Sequence, residues 1–203
     1  MRNSSVTSAA IKGNAMSTVA QKRATLDDLY RTEGKAELIG GRLVPLMATG
    51  FAPNLIAGNI YVSLREYSKK SAKGVAFTDN MGFAIQELPS GRESFSPDAA
   101  YYVDPKPANR MRFVMDPPTL AVEVRSESDY GKAAEEEIAA KRRDYFLAGT
   151  SIVWDVDPKA KRIHVYTGPN GEKKKTFHPG QMADAEPALP GWQIAVDEVF
   201  QTR

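Results

Sequence analysis

A chain of 203 residues with 42% hydrophobic and 26% charged side chains is long enough for one domain with a sizeable core. It contains no cysteine and only His164 and His178, which excludes disulfides, thiolate nucleophiles and cysteine-ligated zinc or iron–sulfur centres. Any metal would therefore be a hard cation on oxygen ligands, and a formal net charge of +2 is too slight to mark a nucleic-acid binder by itself.

Residues 1–23 are rich in Ser, Ala, Asn, Thr and Lys without periodicity, which predicts a flexible tail ahead of one domain over 24–203. That tail lacks the apolar core of a secretory signal. Thr25 is placed to cap a short helix over "TLDDLYR", with two aspartates at its positive end. "AELIGGRLV" reads as a β-hairpin turning at Gly40-Gly41. Residues 43–64 carry no charge, but Pro45, Gly50, Pro53, Asn54, Gly58 and Asn59 interrupt them, so no membrane contact is expected and a cytoplasmic location follows. Ile56, Ile60, Leu64 and Tyr67 recur at helical spacing from Asn54 to about Lys70.

"GVAFTDN", "MGFAIQEL" and "SFSPDAAYYV" read as three strands, with a turn at "PSGRE". In "PPTLAVEVRSESD" Leu120, Val122 and Val124 alternate with Ala121, Glu123 and Arg125, the period of a strand with one face in the core. Ala134, Ile138, Lys141, Tyr145 and Ala148 mark one stripe of a helix over Gly131 to Ala148, stopped by Gly149. Further strands follow, joined by "DPKAK" and "GPNG" turns, and "ALPGWQIAVDEVF" closes with a short strand and a helical turn. The pattern is α/β, one sheet with helices against it.

Three ionisable residues point toward this core: Asp98 after Pro97, Glu123 in mid-strand, and Lys141 in the helix stripe. Each also has a plain reading. Asp98 can simply open a strand, Glu123 can pair with Arg125 on an open face, and Lys141 can pair with Glu137 one turn earlier. Taken together they are costly unless they meet each other or a metal. Two carboxylates from adjacent strands suit Mg²⁺, which binds through one or two carboxylates and keeps waters, and an ammonium nearby would orient a water or stabilise a pentavalent phosphorus. No Gly-rich phosphate loop, dinucleotide fingerprint or nucleophile elbow is present.

"ELIGGRLV", "SPDAAYYV", "PPTLAVEVRSESD" and "KRRDYFLAGTSIVWDVDP" together resemble the Uma-two family, a branch of the PD-(D/E)XK nuclease superfamily, from about Thr25 to Phe200. The resemblance implies a restriction-endonuclease-like single domain with a mixed central sheet flanked by helices, and a Mg²⁺-dependent site, Mn²⁺ being a substitute. It implies Asp98 and Glu123 as metal ligands with the Val124 carbonyl as a third, Lys141 as the catalytic lysine, and Glu37 as a further member of the acidic cluster. Where the superfamily places a lysine two residues after the glutamate, this chain has Arg125. Where the family places a histidine at the start of the first long helix, it has Pro53 and Asn54. The expected activity is hydrolysis of DNA phosphodiesters by a homodimer. The alternatives are a nuclease fold retained as a binding scaffold and a Mg²⁺-dependent hydrolase of small phosphate esters.

Overall fold

A computed structural model describes residues 22–103, 107 and 109–202. Of the tail expected over 1–23, residues 1–21 lie outside the described residues. Arg23 is paired with Glu87 at 2.7 Å and with Glu93 at 3.2 Å.

The first element is a short helix, α1 (Leu26–Arg31), closed at its start by reciprocal bonds between Thr25 and Asp28 that satisfy two otherwise orphaned N–H groups. The hairpin β1 (Ala36–Ile39) and β2 (Arg42–Pro45) turns at Gly40-Gly41, both with positive φ, where a side chain would be strained. Next comes α2 (Phe51–Ser71), which starts three residues earlier than the spacing suggested. Pro53 sits inside its first turn, where the missing N–H would have had no helical partner anyway.

Six strands form the central sheet in the order β10-β9-β8-β7-β6-β3: β3 (Val75–Thr78), β6 (Ala99–Tyr102), β7 (Leu120–Val124), β8 (Ile152–Asp157), β9 (Arg162–Thr167) and β10 (Lys173–Phe177). β7 and β8 are parallel, joined across one face by α3 (Lys132–Ala148), while the other neighbours are antiparallel, so the sheet is mixed. The alternation in β7 sorts the two faces. Leu120, Val122 and Val124 pack with Ile56, Ile60 and Leu64 of α2, whereas Ala121 packs with Tyr145 and Phe146 of α3. Glu123 therefore faces α3.

The α2 face also carries the C-terminal elements, β11 (Met182–Asp184), β12 (Gln193–Ala195) and α4 (Val196–Val199). Trp192 meets Trp154 there, and Asn59 donates from α2 to carbonyls of Glu198, Val199 and Gln201. Within the uncharged run, Ile56, Ala57, Ile60 and Leu64 are the residues that pack inward, while Met47, Phe51 and Val62 are exposed. Among the described residues no helix is long and apolar enough to cross a membrane.

Two strand expectations are corrected. Only Phe83 and Ala84 of "MGFAIQEL" form a strand, β4, and it pairs with β5 (Ser94–Phe95) outside the central sheet. "SFSPDAAYYV" is not one strand but two, β5 and β6, because Pro97 has no N–H for a ladder. The break leaves Asp98 at the mouth of the sheet rather than inside a strand.

α3 ends as its glycine suggested. Gly149 has φ of 110° and donates to the Phe146 carbonyl, and Thr150 donates to the Tyr145 carbonyl at 2.9 Å. Gly149→Ala is expected to destabilise the fold by about 1 kcal/mol in urea unfolding, the cost of placing a Cβ in left-handed backbone.

Candidate active site

Four of the residues singled out in the sequence line one open cleft of about 620 Å³, between α3 and the β1–β2 hairpin: Glu37, Asp98, Glu123 and Lys141. Its centre is the Lys141 ammonium. The Nζ lies 2.9 Å from the Glu123 carboxylate and 3.3 Å from Glu37 Oε1, and Glu137 is not its partner. Burial alone would lower the lysine pKa, but Glu123 and Glu37 outweigh it and raise the value, so Lys141 stays an ammonium at neutral pH. A group in that state orients and stabilises; it does not take a proton from water.

Glu123 is held from two points on α3. Besides Lys141, the Tyr145 hydroxyl donates to its Oε1 at 2.6 Å, and the Tyr145 ring is stacked on Phe95 with centroids 4.0 Å apart. Burial, and then the Glu123 charge, push the phenol well above its ordinary pKa, so it remains a donor. Arg125 does not neutralise Glu123. Its guanidinium is bidentate to Asp155 at 2.7 and 2.8 Å and also pairs with Glu135.

Glu37 is 3% exposed and fully engaged: Arg92 and Lys141 pair with it, and the Ser96 N–H donates to it at 3.0 Å. Burial would raise its pKa, but Lys141 and Arg92 prevail and hold it below the usual carboxylate range. Arg92 in turn donates to the buried Asp144 at 3.0 Å. Glu37 thus anchors Lys141 from behind.

Asp98 stands at the start of β6. Its N–H donates to the Val122 carbonyl, and its Oδ2 accepts the Val124 N–H at 2.7 Å. In a β-ladder the N–H and C=O of one residue point to the same neighbour, so the Val124 carbonyl is also directed to the Asp98 edge. Burial, and then the nearby Glu123 charge, push the Asp98 carboxyl up to about 7. Lys35, paired with Asp79 and 3.9 Å from Asp98 Oδ1, offsets this only in part.

The residues present fit a hard divalent cation. Seven carboxylates line the cleft against four cationic side chains, Lys35, Arg92, Arg125 and Lys141, each already paired with acids. Asp98 and Glu123 are the two whose charges are crowded together. Among the described residues no three acidic or histidine side chains gather as a ready-made metal cage. The donor set is instead two carboxylates beside a backbone carbonyl, the kind of set that suits Mg²⁺ with retained waters.

Lys35, Arg92, Asp144 and Tyr145 were not among the candidate site residues. Tyr145 had a signal, four residues after Lys141 on the same stripe. Arg92 and Lys35 had none, because their partners lie 55 and 44 residues away along the chain. Pro53 and Asn54, where the family has a histidine, fall in the first turn of α2 and do not line the cleft.

Two acids at the mouth of a mixed sheet, with a lysine from the crossover helix, share one cleft of a restriction-endonuclease-like α/β domain. The chain belongs to the Uma2 family, described as "Putative restriction endonuclease", whose profile matches residues 23–197. Its fold is similar to the crystal structure of "a putative nuclease belonging to DUF820" from Anabaena variabilis ATCC 29413, with a TM-score of 0.69 and 15% identity over 87% of this chain and 97% of that one. No curated protein matches the chain.

Because the folded-state pKa of Asp98 lies above the ordinary carboxylate value, the native chain keeps that proton where the unfolded chain releases it. The corresponding stability is full below about pH 4 and is lost as pH rises through about 7. Asp98→Asn, measured without divalent cations, is therefore expected to gain about 2–4 kcal/mol at pH 8 and almost nothing at pH 4. Arg92→Met takes the ion-pair partner from the buried Asp144 and one of two cations from Glu37, and is expected to cost about 3–5 kcal/mol in the same unfolding assay.

Proposed function

We propose that this protein is a Mg²⁺-dependent nuclease that hydrolyses DNA phosphodiesters in this cleft. The observation that carries the reading is the pair Asp98 and Glu123, two half-buried carboxylates crowded in one cleft with a charged lysine on the second of them. An excess of acid in a cleft repels a phosphate, so an anionic substrate enters only with a cation that changes the sign of the site.

Asp98, Glu123 and the Val124 carbonyl would hold that cation. Bound there, it would supply Lewis acidity toward the phosphoryl oxygens and make a water easier to deprotonate. The chain's own residues do the rest. Val124 N–H fixes the orientation of Asp98 through Oδ2, leaving Oδ1 toward the cleft. Tyr145 and Lys141 fix Glu123. Lys141, anchored by Glu37, sets a positive charge beside the reacting phosphate, where charge builds in the transition state; a donor of this kind is worth about 10²–10³ in rate.

Plasmid-nicking and oligonucleotide assays in Mg²⁺ and in Mn²⁺, paired with calorimetric titration of the metal, test this. Asp98→Asn and Glu123→Gln are expected to lose both metal binding and cleavage. Lys141→Met is expected to keep metal binding and lose about 10²–10³ in turnover. Tyr145→Phe keeps the ring on Phe95 and is expected to lose roughly 10-fold in turnover, the worth of one hydrogen bond to a charged group. Unchanged metal affinity in both carboxylate variants, with salt-sensitive DNA binding and no cleavage, would reject the enzyme reading in favour of a binding module.

A further inference from the structure

The two walls of the cleft are chemically unlike. The α3 wall is ionic and carries Lys141 and Asp144. The opposite wall is built by residues 44–49, the end of β2 and the segment after it, which carry no charge at all. Val44 is directly opposite Glu37 in the hairpin register, so both side chains lie on the face that looks toward the site. Met47 is 88% exposed and Phe51, the first residue of α2, is 79% exposed. With Val44 they make three exposed large apolar side chains within eight residues; Val44 and Met47 line the cleft, and Phe51 follows two residues after Thr49, where this wall ends. Apolar exposure concentrated in this way marks an occupant.

Charge decides what kind of occupant. A duplex gripped by its backbone needs free Lys and Arg along the walls, and every cationic side chain lining this cleft is already bound to carboxylates. What the cleft offers is a centre suited to one phosphate and, beside it, apolar surface suited to something uncharged attached to that phosphate. Within a continuous duplex the bases are stacked inside, and an apolar wall would meet only sugar and backbone. A base that has left the stack presents a π-face, and Phe and Met are the side chains that pack on such faces without demanding a sequence.

We propose that the cleft takes an unpaired nucleotide, with the scissile phosphate at Asp98, Glu123 and Lys141 and the adjoining base laid on the Val44–Met47–Phe51 strip. The preferred substrate is therefore single-stranded or forked DNA, not continuous duplex. This assignment rests on the cleft being a phosphodiester site, and the test keeps the two apart.

The full chain is mixed, in Ca²⁺ to slow turnover, with oligonucleotides of one sequence as single strand, forked duplex and blunt duplex, each with 2-aminopurine at one position. Anisotropy gives affinity and the 2-aminopurine signal reports stacking; cleavage is then followed in Mg²⁺ and Mn²⁺. The single and forked strands are expected to bind at least 10-fold more tightly than blunt duplex. Met47→Ser with Phe51→Ser, both at the surface and tolerable to the fold, is expected to erase that preference and the stacking signal, while Val62→Ser with Met182→Ser leaves both intact. Equal affinity for blunt duplex, or an unchanged preference in the strip variant, overturns the proposal. So does a drop in molar mass on light scattering of the strip variant, which would assign the strip to a second copy of the chain. A chain that cuts nothing but prefers single strands through Met47 and Phe51 would end the hydrolysis reading and leave this one standing; cleavage of duplex without preference would do the reverse.

Discussion

The structure depends on one ammonium placed among acids. Lys141 lies between Glu123 and Glu37, close enough to both that its charge is locked on despite the loss of water around it. Each carboxylate also has a further partner: Glu37 accepts from Arg92 and the Ser96 N–H, and Glu123 accepts from Tyr145. Removing one member would leave another buried and unpaired, which is why such clusters hold a single geometry. Asp98 is the member left short. Among the described residues its close donor is the Val124 N–H, with Lys35 farther off, and burial and then the Glu123 charge raise its proton affinity. The proposed cation would meet fixed carboxylates there and supply the positive charge that Asp98 lacks.

The fold supplies the geometry through three local devices. Pro97 ends one strand and lets another begin, so that Asp98 opens β6 at the edge where β7 presents Glu123. The parallel pairing of β7 and β8 forces a crossover, and α3 crosses on the face that Glu123 occupies, bringing Lys141 and Tyr145 down onto it. The β1–β2 hairpin, tied to the strand region at Arg92 and Glu93, brings Glu37 in from the far side. α2 and the C-terminal elements fill the opposite face of the sheet and leave the site side free.

Much of this was legible in the chain itself, for physical reasons that can be named. A carboxylate in a strand of period two, and a lysine in an apolar helical stripe, both violate the expected pattern, and such violations mark function. Gly149 announced the end of α3 because the left-handed cap has few alternatives to glycine. The buried Arg92–Glu37–Asp144 and Lys35–Asp79 pairs were not legible, since they join residues far apart whose local contexts look like ordinary surface. "MGFAIQEL" misled for a related reason. Its apolar residues serve the small β4–β5 pair and its packing, and a short apolar run does not state which sheet it joins. Apolar residues 43–51 similarly look like core by composition, yet Met47 and Phe51 stand at the surface.

The most direct test of the central claim is anomalous scattering from crystals soaked in Mn²⁺. The account predicts one principal peak within coordination distance of an Asp98 oxygen, a Glu123 oxygen and the Val124 carbonyl, about 2.0–2.6 Å from each, lost in Asp98→Asn. A peak placed elsewhere in the chain, or one that survives that substitution unmoved, would contradict it.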